Sequence, residues 1–241
     1  MENFKQLLII AAAIAYPLSI FIDCSIYNLR FLLIGKQGVK YWLSMLTIYQ
    51  YIARFFMLIF VPTTAYLTES FQSLETTSTV LVTAHFGVII ILTFSIRFFK
   101  STSMLSLFIV QKLSINSSKD NVNEAFLSPI NIVDPINFKE KKAINLFVSS
   151  LTSQFLVSIS MTLIFILNFL HRDSILFYNS LMQALNMCAS IILFIYIDPI
   201  VMSSFDKEYK GQNNIKIIYY SRILAHSISF LFFSFVYYLL N

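Results

Sequence analysis

The chain is short of the residues from which most catalytic and nucleotide sites are built. It has four glycines in 241 residues, and they form no glycine-rich phosphate loop. Its two cysteines, Cys24 and Cys188, lie far apart with neither metal nor redox spacing, and they read as packed small side chains. There are three histidines, but no His-Glu-x-x-His, and Gly-x-Ser-x-Gly is missing too. Ser221 and His226 are the nearest thing to a nucleophile and base, yet five residues apart on a helix they face different directions. The expectation is therefore a protein that is not an enzyme and carries no cofactor or metal. Charge is scarce as well: 12% of residues, against a usual share of about 25%. The net charge of +5 fits basic residues held in loops at a membrane surface better than a nucleic-acid partner.

What the chain has instead is apolar surface. With 57% hydrophobic residues, a soluble domain of this length could not hide it all. Several runs reach the roughly 20 residues that cross a bilayer. The expected fold class is all-α: a polytopic membrane protein, residues 1–241 forming a single transmembrane domain of six helices with one short interfacial helix. Hydropathy puts the spans at about Leu7–Asn28, Tyr41–Leu67, Thr79–Phe98, Ala143–Leu170, Ile175–Ile197 and Ile215–Leu240. The first run continues past Pro17, so it reads as a retained helix rather than a signal peptide. Pro62 is expected to kink or unwind the end of the second span. Ser101–Leu113 is too short to span and reads as interfacial. Residues 114–142 read as one long connection, part of a cytoplasmic stretch over 99–142. Asp198-Pro199 should stop the fifth span, leaving a loop with Asp206 and Gly211 before the sixth.

Basic residues set the orientation. Arg30, Lys36 and Lys40 lie in the first link, seven bases in the third, and Lys207 and Lys210 in the fifth; the second link has none and the fourth only Arg172. Odd-numbered links are thus expected in the cytoplasm and both termini outside.

Helical spacing sorts the polar residues into stripes. These are Tyr16, Ser19, Asp23, Tyr27 and Arg30 on the first span, and Ser44, Thr47, Tyr51 and Arg54 on the second. The fourth carries Ser150, Gln154, Ser158 and Thr162, the fifth Asn179, Gln183, Asn186 and Ser190, and the sixth Arg222, His226 and Ser229. Interhelical hydrogen bonding accounts for the serines and threonines. For the set with Asp23, Arg54 and Arg222, a water-lined interior is the simpler expectation, since buried charge is costly unless paired or wetted. Arg54 lies 13 residues beyond Tyr41, roughly 20 Å deep, and its fork suits a phosphate. Arg30 and Arg222 are expected to pair with Asp23 or Asp198, and His85 and His226 to be hydrogen-bonded packing residues.

Two constellations resemble the Amj-type alternate lipid II flippases. One is Tyr27-Asn28-Leu29-Arg30, followed by Ser44 and Arg54; the other is Asp198-Pro199, Asp206, Gly211 and Ser221-Arg222. Asp23 falls where that family tends to carry a glutamate. Ala53 stands where the family prefers serine, and Ala225 where it has glycine. The resemblance covers the two flanks of the chain. It implies a flippase in a bacterial cytoplasmic membrane that moves a polyprenyl-diphosphate-linked saccharide, lipid II, from the inner to the outer leaflet. Arg54, Arg222, Arg30, Tyr27 and Tyr51 would meet the diphosphate and headgroup, and Asp23, Asp198 and Asp206 would form ion pairs that rearrange. Its partners would be the lipid-linked saccharide, membrane lipids and the cell-wall synthesis machinery. Three other readings stay open: a transporter or channel for another anionic or small polar solute, a non-catalytic membrane assembly partner, and an intramembrane enzyme.

Overall fold

The computed structural model describes residues 2–33, 39–113, 136, 138, 141–205 and 208–240; the side chains of 39, 40, 208–210 and 240 are not described. The helices are α1 (Glu2–Leu33), α2 (Val39–Phe71), α3 (Leu74–Arg97), α4 (Phe99–Leu113), α5 (Lys141–Leu170), α6 (Ile175–Ile191), α7 (Asp198–Ser204) and α8 (Glu208–Leu240). Six helical segments are long and apolar enough to cross a membrane, the fifth of them running from Arg172 to Ser204. Among the described residues the fold is an all-α, multi-pass membrane bundle. The long connection over 114–142 lies almost wholly outside the described residues.

The two ends of the bundle differ. One carries the short α2–α3 and α5–α6 turns and is called the turn end below. The other carries the links after α1, α3, α4 and α7, and is called the link end. At the α2–α3 turn Ser73 caps α3 by accepting from the Thr76 amide at 3.2 Å, and Gln72 sits at φ 46°. Around the bundle the neighbours run α2, α1, α3, α8, α5, α6, with α2 also touching α5.

Two apolar clusters hold this order. The larger joins α1, α3, α5 and α8 through residues such as Ala84, Val88, Leu146 and Phe233. The smaller packs the end of α1 on the start of α2 and on α4, through Leu29, Leu46, Tyr49 and Leu107. α4 buries Thr102, Ser106, Leu107 and Val110 and exposes Leu105 and Phe108, so it lies against the bundle by one face. Two glycines permit close helix approach. A Cβ on Gly87 would meet Pro17 Cγ at 2.6 Å, and one on Gly211 would meet Phe31 Cε2 at 2.6 Å.

Pro62 does not unwind the end of the second span: α2 passes it and stays helical to Phe71. Asp198-Pro199 does not end the fifth span either: Ile192–Ile197 widens into a π-helix, and Pro199 then occupies the first turn of α7. A proline at a helix start needs no amide partner, and the wider turn relieves its clash with the preceding carbonyls. The expected loop from 198 to 214 is therefore mostly helix, since α8 already begins at Glu208.

Candidate functional site

Three of the five polar stripes meet inside the bundle, and they meet each other. α5 and α8 run parallel, so their stripes pair in register. Ser150 Oγ lies 2.6 Å from Ser221 Oγ, Gln154 Nε2 3.1 Å from His226 Nε2, and Ser158 Oγ 2.8 Å from Ser229 Oγ. From α3, His85 Nδ1 approaches His226 Nδ1 to 2.9 Å, with Tyr16 edge-on to both rings and Phe233 stacked on His85. Two Nδ1 atoms share one proton, so one imidazole donates and the other accepts. His85 Nε2 has no hydrogen-bond partner among the described residues. Sequence reasoning treated the two histidines separately and missed their pairing, because nothing in either helix marks which face meets the other. No group of three metal-ligating side chains occurs among the described residues. Ser221 and His226 have different partners and form no dyad.

The same column continues to the link end as ion pairs. Arg222 Nη1 donates to Asp23 Oδ2 at 2.8 Å and lies 3.2 Å from Cys24 Sγ, its guanidinium over the Tyr27 ring at 5.8 Å. Tyr27 donates its hydroxyl to Asp198 Oδ1 at 2.8 Å, and Arg30 Nη1 stands 3.8 Å from Asp198 Oδ2. Asn28 donates to the Tyr219 hydroxyl at 2.8 Å. Below this layer Phe31, Phe205 and Gly211 close together. The expected pairing of Arg222 and Arg30 with Asp23 and Asp198 is what the structure has. The expected water-lined interior is not. Members of the α1, α5 and α8 stripes bond one another directly, and Arg222, 4% exposed, is already paired with Asp23. Tyr27 is likewise buried against its own partners. Asp206 lies outside the described residues.

Arg54 is the largest correction. α2 buries Leu46, Tyr49, Ala53, Phe60 and Leu67 against its neighbours. That apolar line at heptad-like spacing outcompetes the polar one for the packing face. Ser44, Thr47, Tyr51 and Arg54 consequently point outward, and Arg54 rests on the Tyr51 ring at 5.2 Å from its centroid. Cys188, read as a packed residue, is also exposed, on α6.

The outward face of α2 leads somewhere. Stepping from Arg54 by four and three gives Leu58, Val61, Ala65 and Thr68, and the last three line a cavity of about 510 Å³ between α2, α5 and α6. α2 and α6 both pack on α5 but scarcely touch each other, so the cavity is a groove in the gap between them. Its position follows from the lining: Val61–Glu69, Ser160–Phe169 and Arg172–Asn186, all in the turn-end half of the bundle. Its walls are apolar (Ile164, Phe165, Phe169, Met182), interrupted by the amides of Asn168, Asn179, Gln183 and Asn186. Asn168 Nδ2 donates to Asn179 Oδ1 at 3.1 Å. Glu69 and Arg172 sit exposed at the mouth, Arg172 over the Phe169 ring at 5.7 Å. The stripe on α6 pointed to this wall from sequence; that Asn168 and Arg172 join it was not visible without the α5–α6 turn.

Among the described residues these features define a class: a multi-pass membrane protein with a hydrogen-bonded core, ion-paired layers toward the link end and an amide-lined groove. No protein-family model, curated protein or solved structure matches the chain.

Proposed function

We propose that the chain moves the polar headgroup of a membrane lipid across the bilayer along the outward face of α2 and the groove it joins. The observation that carries this reading is the groove itself: about 510 Å³, in the range of ligand sites, and walled by helical segments long and apolar enough to cross a membrane. An amphiphile can place its head there and leave its tail in the membrane. A guanidinium on the same α2 face, midway through the span, supplies a phosphate station where an unpaired cation would otherwise be costly. Together with the resemblance to Amj-type proteins, this favours a polyprenyl-diphosphate-linked saccharide of the lipid II kind. In this reading Arg54 and Tyr51 hold the diphosphate, Arg172 receives it at the mouth, and no covalent chemistry is needed.

The loop charges would put the link end in the cytoplasm of a bacterium and the turn end outside. The groove is then open in the outer half while the Asp23–Arg222 and Tyr27–Asp198–Arg30 layers seal the inner end. That corresponds to the release stage of an alternating cycle. Entry requires these layers to part, which gives the two aspartates their role in gating.

The test is transbilayer movement of a fluorescent polyprenyl-diphosphate disaccharide in proteoliposomes. Wild type is expected to expose the lipid on the far leaflet, Arg54→Ala to lose that activity while remaining folded, and Arg54→Lys to keep part of it, since lysine lacks the fork. Full activity in Arg54→Ala would remove Arg54 from the route. Uptake of a soluble anion with no lipid movement would replace the proposal.

A further inference from the structure

Amides are poor residues with which to face lipid. Each brings two donors and an acceptor that hydrocarbon leaves unsatisfied, at a cost of several kcal/mol. α6 nevertheless sets Asn179, Gln183 and Asn186 one turn apart along the groove, with Asn168 facing them from α5. The protein uses only a fraction of this capacity. Apart from the Asn168–Asn179 bond, the side-chain amides of Gln183 and Asn186 have no hydrogen-bond partner among the described residues, and the Asn168 side-chain carbonyl oxygen is buried without one. Along the α5–α8 seam polar side chains pair in register, whereas this cluster stands open beside a cavity large enough for a ligand. That ligand must carry several groups that both donate and accept, spread along about two helical turns, without net charge. Vicinal hydroxyls and an acetamido group of a sugar fit that description, and Phe165 and Phe169 in the lining suit its apolar face.

We propose that this amide ladder is a glycan-binding site, gripping the sugar while the diphosphate behind it is held at Arg54. The proposal rests on the lipid-moving reading above and specifies which part of the substrate the groove recognises. The spacing agrees. Arg54 lies seven residues below Val61, the first α2 residue of the groove, about 10 Å along the helix at about 1.5 Å per residue. A headgroup anchored by its diphosphate at Arg54 therefore points its sugar into the ladder.

The experiment titrates the full chain in detergent with two probes, farnesyl diphosphate and farnesyl-diphosphate-linked N-acetylglucosamine. Wild type is expected to bind the sugar-bearing probe about tenfold more tightly or better, the difference between a site with its amides paired and one without. Gln183→Leu with Asn186→Leu should bring the two affinities within about twofold while leaving farnesyl diphosphate binding unchanged, which also reports an intact fold. Because Gln183 is exposed, Gln183→Leu alone serves as the milder variant and should lose part of the preference. A sugar preference that survives the double variant overturns the ladder assignment, as does equal binding of both probes by wild type. Binding of neither probe by wild type overturns the lipid-moving reading itself, and this inference with it.

Discussion

Removing the carboxylate of Asp23 should be more damaging than removing its partner's charge. Arg222 is 4% exposed by side chain and Asp23 35%, so Asp23→Asn strands a cation in the core, whereas Arg222→Gln leaves an acid that water already reaches. Breaking a buried pair from one side costs about 3–5 kcal/mol. The lower end applies here, because the Tyr27 ring and Cys24 Sγ still face the guanidinium; Asp23→Asn is expected to cost about 3 kcal/mol. Arg222→Gln should cost less, and the double variant less than the sum, with a coupling above about 1 kcal/mol. Reversible unfolding in mixed micelles, followed by far-UV circular dichroism, gives all four corners of the cycle. Losses that add to within about 0.5 kcal/mol would refute the claim that this pair seals the core. So would a larger loss from Arg222→Gln.

Three smaller tests bear on the packing. Gly211→Ala drives a methyl to 2.6 Å from Phe31 Cε2, and the same unfolding assay should show a loss of about 1–3 kcal/mol. Gln72→Gly relieves a left-handed turn residue at φ 46° and should gain up to about 1 kcal/mol. Gln154→Leu leaves His226 Nε2 without its partner, a loss of about 1–3 kcal/mol, whereas Thr152→Leu on the exposed face of the same helix should be nearly silent.

Much of the fold was legible because its signals are local. Six apolar runs predict six spanning segments, and the serine-containing run after the third predicts α4. The ion-pair partners were legible too, since Asp23, Arg30, Asp198 and Arg222 all fall near one end of their spans. The expectation at Asp198-Pro199 failed for a physical reason: a long apolar segment in a membrane keeps its backbone bonded through a π turn rather than breaking. Arg54 failed for another. A polar stripe says that a face is distinct, not which way it turns, and on α2 the line through Leu46, Ala53 and Phe60 won the packed side. The groove needed tertiary knowledge altogether, because it arises from where α6 stands relative to α2 and from Asn168 meeting Asn179 across a turn.

The central claim is that a lipid headgroup travels through the groove between α2, α5 and α6, and it is tested most directly by filling that groove. Ala65 lines it midway along the α2 wall, half-buried and without a polar role. In proteoliposomes loaded with the fluorescent polyprenyl-diphosphate disaccharide, Ala65→Trp should abolish movement to the far leaflet, while the protein unfolds at the same denaturant concentration as wild type. Undiminished movement with the tryptophan in place would contradict the account.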